Sequence, residues 1–350
     1  MASAGEHRGA RAMRAWRIWR AALWWRRMLV AAEVLVSRPV RLRVVAAIVF
    51  LLVPCGSGRA ADVACPPSAA VPTPAELAEA GRDARDHGAL WRFQKNGRPG
   101  YLYGTIHIAN LDWAMPGPTI GRALRESETI AIETDPGDPA TGAGMAAPQK
   151  PGEAPALPPE LIDRLRSQAA RACEPWESLE SMPPLMLVTR LTLLDARWDG
   201  LHMDYSIEVV LASFARKTGR SLATLESVAI QRAAIVGGSP VEQAQEVDQR
   251  LSALENGSAR KAMAVIANAW ARGDLDALAR LYEAPDARVA LERMAGARNQ
   301  AIAARIDELH RGGRRLFAAA GILHMIGDAP IQKLLAERGF TVERVPLGAR

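Results

Sequence analysis

Two adjacent strands are predicted by residues 90–108, which read LWRFQKNGRPGYLYGTIHI. Asn96-Gly97 is a pair typical of two-residue hairpin turns, so the segments on either side of it should form antiparallel strands. The second of these strands ends abruptly on His107. A titratable side chain in that position raises the question of whether other strands end in the same way.

Three later apolar segments do end on a polar residue, and helical segments separate them. TIAIE ends at Glu133, LATLE ends at Glu226, and FAAAGILH ends at His324. Strands that alternate with helices are typical of an α/β fold. We therefore predict a central, mostly parallel sheet flanked by helices, with an N-terminal β-hairpin and a helical insertion over 227–311 between the βαβ units.

These four strand ends predict one site. Parallel strands place their carboxyl ends at one edge of the sheet, which is where open α/β sheets hold ligands. Two imidazoles and two carboxylates at that edge would suit a divalent metal or acid/base chemistry. Each residue also has an ordinary structural alternative, because a lone His is often a hydrogen-bonded core or surface residue and a strand-end Glu often pairs with a helix N-terminus.

Arg298 supports the same site. In LERMAGARNQAIAARIDEL, residues 291–309, a helical reading puts this arginine on the apolar stripe. A buried guanidinium needs a partner, and a carboxylate of the site is the natural one. The alternative is that the stem packs while the charged end reaches water. Asn299, the next residue, could donate to a substrate carbonyl.

Two other segments bear on the organisation of the predicted domain, residues 62–350. Residues 135–159 contain seven prolines and are expected to form a mobile surface loop without regular structure. Residues 204–220, DYSIEVVLASFARKTGR, predict an amphipathic helix with Asp204 as its N-cap and Gly219 as its stop.

The N-terminal 61 residues have the pattern of an export signal or membrane anchor. A basic segment precedes a short apolar run and small residues near Ala60 and Ala61, where cleavage is expected. Residues 1–43 carry a net charge of +8, from ten Arg and two Glu, whereas the whole chain carries +6, which leaves −2 for the rest. This distribution gives no indication of nucleic-acid binding by the folded domain, and any membrane contact is expected only through the N-terminal segment.

The cysteines fit an exported protein. Cleavage near Ala61 would remove Cys55 and leave Cys65 and Cys173, an even number in an oxidising compartment. We predict that these two form a disulfide, with two separate buried thiols as the alternative. No HExxH, P-loop, GxSxG or dinucleotide-binding motif is present.

Several stretches together resemble the TraB/PrgY/GumN family, which is related to the Tiki proteases. The resemblance runs from about Leu90 to Val345 and includes two Gly-x-x-His motifs with an Arg-Asn helix between them. The stretches are YLYGTIHIAN, AIETD, the LE at 225–226, ARNQAIAARI and AAAGILHMIGDAPIQKLLAERGFTVERV. Relatives also include erythromycin esterases and haem-binding ChaN-like proteins, all with helices around a central sheet.

The resemblance implies roles for individual residues. Tiki-type members are divalent-metal proteases that use manganese or cobalt. By that resemblance His107 and His324 would be metal ligands, Glu133 their acidic partner, and Arg298 with Asn299 the family's Arg-Asn pair. Where relatives show Gly-x-Asp or Gly-x-Glu, this chain reads GLHMD, residues 200–204, so Asp204 and the neighbouring His202 are further candidates, with a surface loop as the alternative.

The expected function is hydrolysis of a peptide or small-molecule substrate in the periplasm, assisted by manganese, cobalt or zinc. One of Glu133 and Glu226 would be a ligand and the other a general base, and Arg298 would stabilise an oxyanion or orient a carboxylate. Two alternatives stay open. One is a metal-free His/Glu hydrolase of the erythromycin-esterase type, and the other is a non-catalytic periplasmic factor that binds a ligand such as haem or assists exopolysaccharide assembly.

Overall fold

A single six-stranded sheet organises the computed structural model, which describes residues 64–283 and 285–348. The predicted signal or anchor, residues 1–61, lies outside the described residues. Within the described part, no helix has the length and apolar character needed to cross a bilayer.

The sheet is mostly parallel, as the sequence predicts. Its strands are β1 (Ala89–Lys95), β2 (Arg98–Thr105), β3 (Thr129–Ile132), β4 (Ser221–Thr224), β5 (Leu316–Gly321) and β6 (Thr341–Val345). Their spatial order is β4-β3-β5-β2-β1-β6, and each pair of neighbours from β4 to β2 is parallel. Strand β1 runs antiparallel to both of its neighbours.

The predicted hairpin joins β1 to β2. Asn96 and Gly97 have φ angles of 53° and 74°, so both turn residues are left-handed. Two left-handed residues form the turn whose twist matches that of paired strands, which explains why this dipeptide stands here. The turn fixes the register, with Lys95 opposite Arg98.

Helices flank the sheet, and some of them form a second apolar core. The first half of the chain contains α1 (Pro74–Arg82), α2 (Leu111–Ala114), α3 (Pro118–Glu126), α4 (Pro139–Ala146), α5 (Pro159–Arg171), α6 (Pro184–Asp195) and α7 (Ile207–Lys217). The section from 227 to 311 is helical, as predicted. It contains α8 (Val228–Ile235), α9 (Pro240–Glu255), α10 (Ser258–Arg272), α11 (Leu275–Ala279), α12 (Pro285–Met294) and α13 (Asn299–Arg311), and α14 (Ile331–Glu337) follows β5.

Three local predictions are wrong. The segment 135–159 contains α4, because Asp138 caps the helix and Pro139 occupies its first turn, where proline is tolerated. Helix α7 begins after Ser206 rather than at Asp204, which lies in a short 3-10 turn. The predicted helix over 291–309 is broken at Ala295, whose φ and ψ are −126° and −58°.

The main core lies on the sheet and is completed by α10. Trp270, fully buried, donates its indole N–H to the carbonyl of Gly104 at 2.8 Å. This bond ties α10 to β2, the strand that ends two residues before His107. A second apolar core, formed mainly by α5, α6 and α9, includes Leu165, Leu191 and Leu251.

A disulfide joins Cys65 to Cys173, just beyond α5, as predicted. Replacing both cysteines with Ser is expected to lower the free energy of unfolding by about 2–4 kcal/mol, because the bond restricts a long loop in the unfolded chain. Urea unfolding of the variant and of the reduced wild type should give matching losses. Equal midpoints for the variant and the oxidised wild type would contradict this prediction.

Candidate functional site

The four predicted strand-end residues meet at the carboxyl edge of the sheet. Strands β4, β3, β5 and β2 are neighbours in that order, so Glu226, Glu133, His324 and His107 follow one another along this edge. Glu133, Glu226 and His324 are buried, whereas the side chain of His107 is 52% exposed. The site is therefore buried except at His107, where it reaches solvent.

The glycines of the two Gly-x-x-His motifs are needed for space. A Cβ on Gly104 would lie 2.3 Å from Cδ1 of Ile322, in the turn that carries His324. A Cβ on Gly321 would lie 3.3 Å from Glu133 Oε1 and 3.8 Å from both His107 Nε2 and His324 Cδ2. The first glycine lets the turn pack on β2, and the second leaves room between the three site residues.

Glu208 orients His107. The Nδ1 atom of His107 lies 3.3 Å from Glu208 Oε2, and this carboxylate also accepts hydrogen bonds from Ser206, at 2.7 Å, and Thr105. Because Nδ1 is held in this way, Nε2 is the nitrogen that faces the other site residues. A carboxylate on the far nitrogen of a histidine is the arrangement that fixes metal-binding imidazoles.

Asn299 does the same for His324. Its amide nitrogen donates to the carbonyls of Ala329, at 2.9 Å, and His324, at 3.3 Å, so its oxygen accepts from His324 Nδ1 at 2.5 Å. His324 Nε2 is then an acceptor, and Arg298 donates to it at 3.0 Å. Both amide donors of Asn299 are occupied and the residue is fully buried, so it positions His324 instead of contacting a substrate as expected from the sequence.

Glu133 lies at the centre of the cluster. Its Oε1 accepts from the backbone N–H of Gly321 at 2.6 Å and lies 3.7 Å from His324 Nε2. Its Oε2 accepts from Gln231 Nε2 at 2.9 Å and lies 3.8 Å from the guanidinium of Arg298. Each oxygen thus has a fixed partner, which holds the carboxylate in one orientation.

Arg298 is paired with site carboxylates, as the sequence predicts. It donates to Glu226 Oε2 at 2.5 Å and, through Nε, to the carbonyl of Met294 at 2.9 Å. The other oxygen of Glu226, Oε1, is buried without a hydrogen-bond partner among the described residues. The side chains of Arg298 and Glu226 are 13% and 1% exposed, so this is a buried ion pair.

The site places two ionised carboxylates, Glu133 and Glu208, beside the cationic groups of His107 and Arg298. The adjacent Glu208 carboxylate, with a smaller contribution from Glu133, raises the pKa of His107 to about 9. Burial opposes ionisation of Glu133, but the neighbouring His324, His107 and Arg298 prevail and its pKa is about 2. Burial lowers the pKa of His324 to about 4. A charged His324 would help to lower the pKa of Glu133. However, Nδ1 of His324 donates to Asn299 and Nε2 accepts from Arg298, which is possible only for the neutral ring. The positive charge near Glu133 therefore comes from His107 and Arg298.

Glu226 is the carboxyl group that titrates near neutral pH. Burial raises its pKa to about 7, with Glu133 acting in the same direction and Arg298 opposing it. A carboxyl group with this pKa can both accept and return a proton at neutral pH. It differs in this respect from Glu133 and Glu208, whose pKa values are lowered.

The residues fit a divalent metal. Ligand atoms of His107, Glu133 and Glu208 lie within 4.8 Å of one another. The space that a Cβ of Gly321 would fill lies between Glu133, His107 and His324. Nε2 of His324 lies 3.7 Å from Glu133 but accepts a hydrogen bond from Arg298, which would have to release it for an ion to bind there. Two imidazole nitrogens with a carboxylate oxygen form a donor set common for zinc, manganese and cobalt.

Sequence reasoning missed two site residues and proposed two others that lie apart. Glu208 shares the buried face of α7 with Leu211, and a charge on an apolar stripe could have identified it. Gln231, on α8, has no such signal. Asp204 is exposed, and the ring of His202 has no hydrogen bond or ion pair to the cluster within the described residues, although its backbone pairs with Ala109.

Comparison with known proteins identifies the family of the chain. The model of the TraB/PrgY/gumN family matches residues 89–344, a range that starts with β1 and ends in β6. No curated protein and no solved structure matches the chain significantly. Since the family match covers about three quarters of the sequence and includes every strand of the sheet, the chain belongs to the TraB/PrgY/gumN family.

Proposed function

We propose that this protein is a divalent-metal-dependent hydrolase of peptides that works in the periplasm. The observation that carries the proposal is the space beside Gly321, lined by Glu133 and two histidines whose Nδ1 atoms are fixed by Glu208 and Asn299. His107, His324 and Glu133 would hold the ion. When bound, such an ion lowers the pKa of a coordinated water and polarises a carbonyl group.

The chain's own residues would divide the remaining tasks. Glu226 would accept a proton from the attacking water and return it to the leaving group, because its pKa of about 7 suits both steps. Arg298 would keep Glu226 in place through their 2.5 Å hydrogen bond. His107, on the exposed side, would face the incoming substrate. The disulfide between Cys65 and Cys173 supports an oxidising compartment and therefore export.

Peptide hydrolysis by matched variants tests these roles. The purified protein is incubated with a peptide library and Mn²⁺, Co²⁺ or Zn²⁺, and the products are identified by mass spectrometry. Glu226→Gln keeps an acceptor for Arg298 but cannot take a proton, so it should bind metal normally and hydrolyse about 10²–10⁴-fold more slowly. His107→Ala should lose both metal and hydrolysis. Full activity of Glu226→Gln would exclude this residue as the base.

The His107–Glu208 pair gives a second candidate, a metal-free hydrolase in which this pair activates water at alkaline pH, where His107, with its pKa of about 9, loses its proton. A histidine held by a carboxylate is a known general acid/base unit, and their atoms lie 3.3 Å apart. Hydrolysis that survives exhaustive chelation and is lost in His107→Ala would favour this mechanism over the metal-dependent one.

A further inference from the structure

We propose that Gln231 is a positioning residue for the metal carboxylate Glu133 and that Thr134 holds the Gln231 amide in place. The inference rests on the proposed metal site, and it concerns a chain of hydrogen bonds from Thr134 through Gln231 to Glu133. Thr134 Oγ1 donates to Gln231 Oε1 at 3.0 Å, and Gln231 Nε2 donates to Glu133 Oε2 at 2.9 Å.

Chemistry decides which way the Gln231 amide points. Glu133 is a carboxylate that only accepts hydrogen bonds, so the amide nitrogen must face it. The amide oxygen then faces the Thr134 hydroxyl, which can donate. A flipped amide would place its oxygen against a carboxylate oxygen, and two acceptors would meet without a proton between them. Glu133 therefore selects the orientation of the amide, and the Thr134 hydroxyl, which can donate or accept, holds the amide in it.

Gln231 supplies what the other partners of Glu133 do not. The backbone N–H of Gly321 holds Oε1 at 2.6 Å, whereas the guanidinium of Arg298 lies 3.8 Å from Oε2, beyond hydrogen-bond distance. Gln231 is therefore the side chain that fixes Oε2. Being neutral, it orients the carboxylate without cancelling the negative charge that a cation needs.

The hydrogen bond also connects the site to surface helices. Gln231 lies on α8, no residue of which is fully buried, and α8 packs on α4 through Val228 and Gly144. Arg232, the next residue, donates to the carbonyl of Ala147 just after α4. The position of Glu133 thus depends on a helix pair at the protein surface as well as on the sheet that carries it.

Calorimetric titration of the metal-free protein with Mn²⁺ and Zn²⁺ tests this inference. Gln231→Leu should weaken binding of the preferred ion by about 10–100-fold, the usual effect of removing a residue that orients a metal ligand. Its melting temperature in the presence of EDTA should stay near that of wild type, because Gln231 is only partly buried. Ile230→Ala is the matched control, since Ile230 lies on the same helix and is 45% exposed.

Thr134→Val distinguishes a chain of hydrogen bonds from two independent effects. Alone it should weaken binding by a smaller factor than Gln231→Leu, and in the Gln231→Leu background it should cause no further loss. Additive losses would overturn the role assigned to Thr134. Gln231→Glu, which has the same shape but places an acceptor against Glu133, should weaken binding even if the leucine variant fails to fold.

The possible results separate this inference from the proposed function. If wild type binds metal and Gln231→Leu binds it within twofold as tightly, Gln231 has no positioning role and the metal site stands. If wild type binds no divalent metal, both the metal site and the role of Gln231 are wrong. A loss of metal affinity that is matched by a large fall in the melting temperature of the metal-free variant would indicate a structural role instead.

Discussion

Replacing Gly321 with Ala is expected to abolish divalent-metal binding while the protein still folds. The added methyl group would lie 3.3 Å from Glu133 Oε1 and 3.8 Å from His107 Nε2, in the space between the residues that would hold the ion. Metal–ligand bonds are only about 2.0–2.2 Å long, so an ion and this methyl group would compete for one space. We expect affinity to fall by more than about 100-fold, beyond the usual effect of changes outside the ligand set.

The backbone at Gly321 can accept alanine. Its φ and ψ are −50° and 141°, values that any residue adopts, so the substitution introduces no backbone strain. Gly81→Ala is a suitable control, because a Cβ there would meet only Met115 Cε, at 3.7 Å. Calorimetric titration measures binding, and a thermal melt of the metal-free protein checks the fold. A folded Gly321→Ala variant with wild-type affinity would show that the metal lies elsewhere.

Replacing Arg298 with Met is expected to destabilise the metal-free protein by about 3–5 kcal/mol at pH 8, where Glu226 of the wild type is mostly ionised, because it leaves this group buried without its cation. Arg298 and Glu226 are 13% and 1% exposed as side chains, so water cannot take over the lost interaction. Arg305→Met is the control. That arginine pairs with Glu308 on the surface, and losing such a pair usually costs less than about 1 kcal/mol.

The cost should increase with pH. Burial already raises the pKa of Glu226 to about 7, and Arg298 opposes that rise, so the variant's pKa should be higher still. A carboxyl group whose folded pKa exceeds its unfolded value stabilises the fold at low pH and loses that contribution as pH rises through the folded pKa. Urea unfolding in EDTA should therefore show a larger difference from wild type at pH 8 than at pH 5. An equal difference at both would contradict the assigned titration of Glu226.

The meeting of the four strand-end residues was predictable because the strands that carry them are parallel to one another. Short apolar runs ending on His107, Glu133, Glu226 and His324 become neighbours once β2, β3, β4 and β5 pair in parallel. The helical stripe read from the sequence also drew attention to Arg298, and the buried partner predicted for it is present although the helix is broken before it. These features depend on local pattern and on one general rule of sheet geometry.

The missed residues depend on tertiary placement. Glu208 reaches the site because α7 packs beside β3, and Gln231 because α8 starts directly after β4 ends at the site. The break at Ala295 makes Arg298 precede α13, so its role does not follow from a continuous helical stripe. The seven prolines of residues 135–159 suggested that the whole segment lacks regular structure. One of them, Pro139, lies in the first turn of α4, where proline does not interrupt a helix.

Metal stoichiometry is the most direct test of the proposed site. Elemental analysis and calorimetry should compare the purified wild type with His107→Ala and His324→Ala. We expect one tightly bound divalent ion per wild-type chain and its loss in both variants, because Nε2 of His107 and, once Arg298 releases it, Nε2 of His324 would bind the same ion beside Glu133. A wild-type protein that binds no manganese, cobalt or zinc, or variants that retain the ion, would contradict a metal centre at this edge of the sheet.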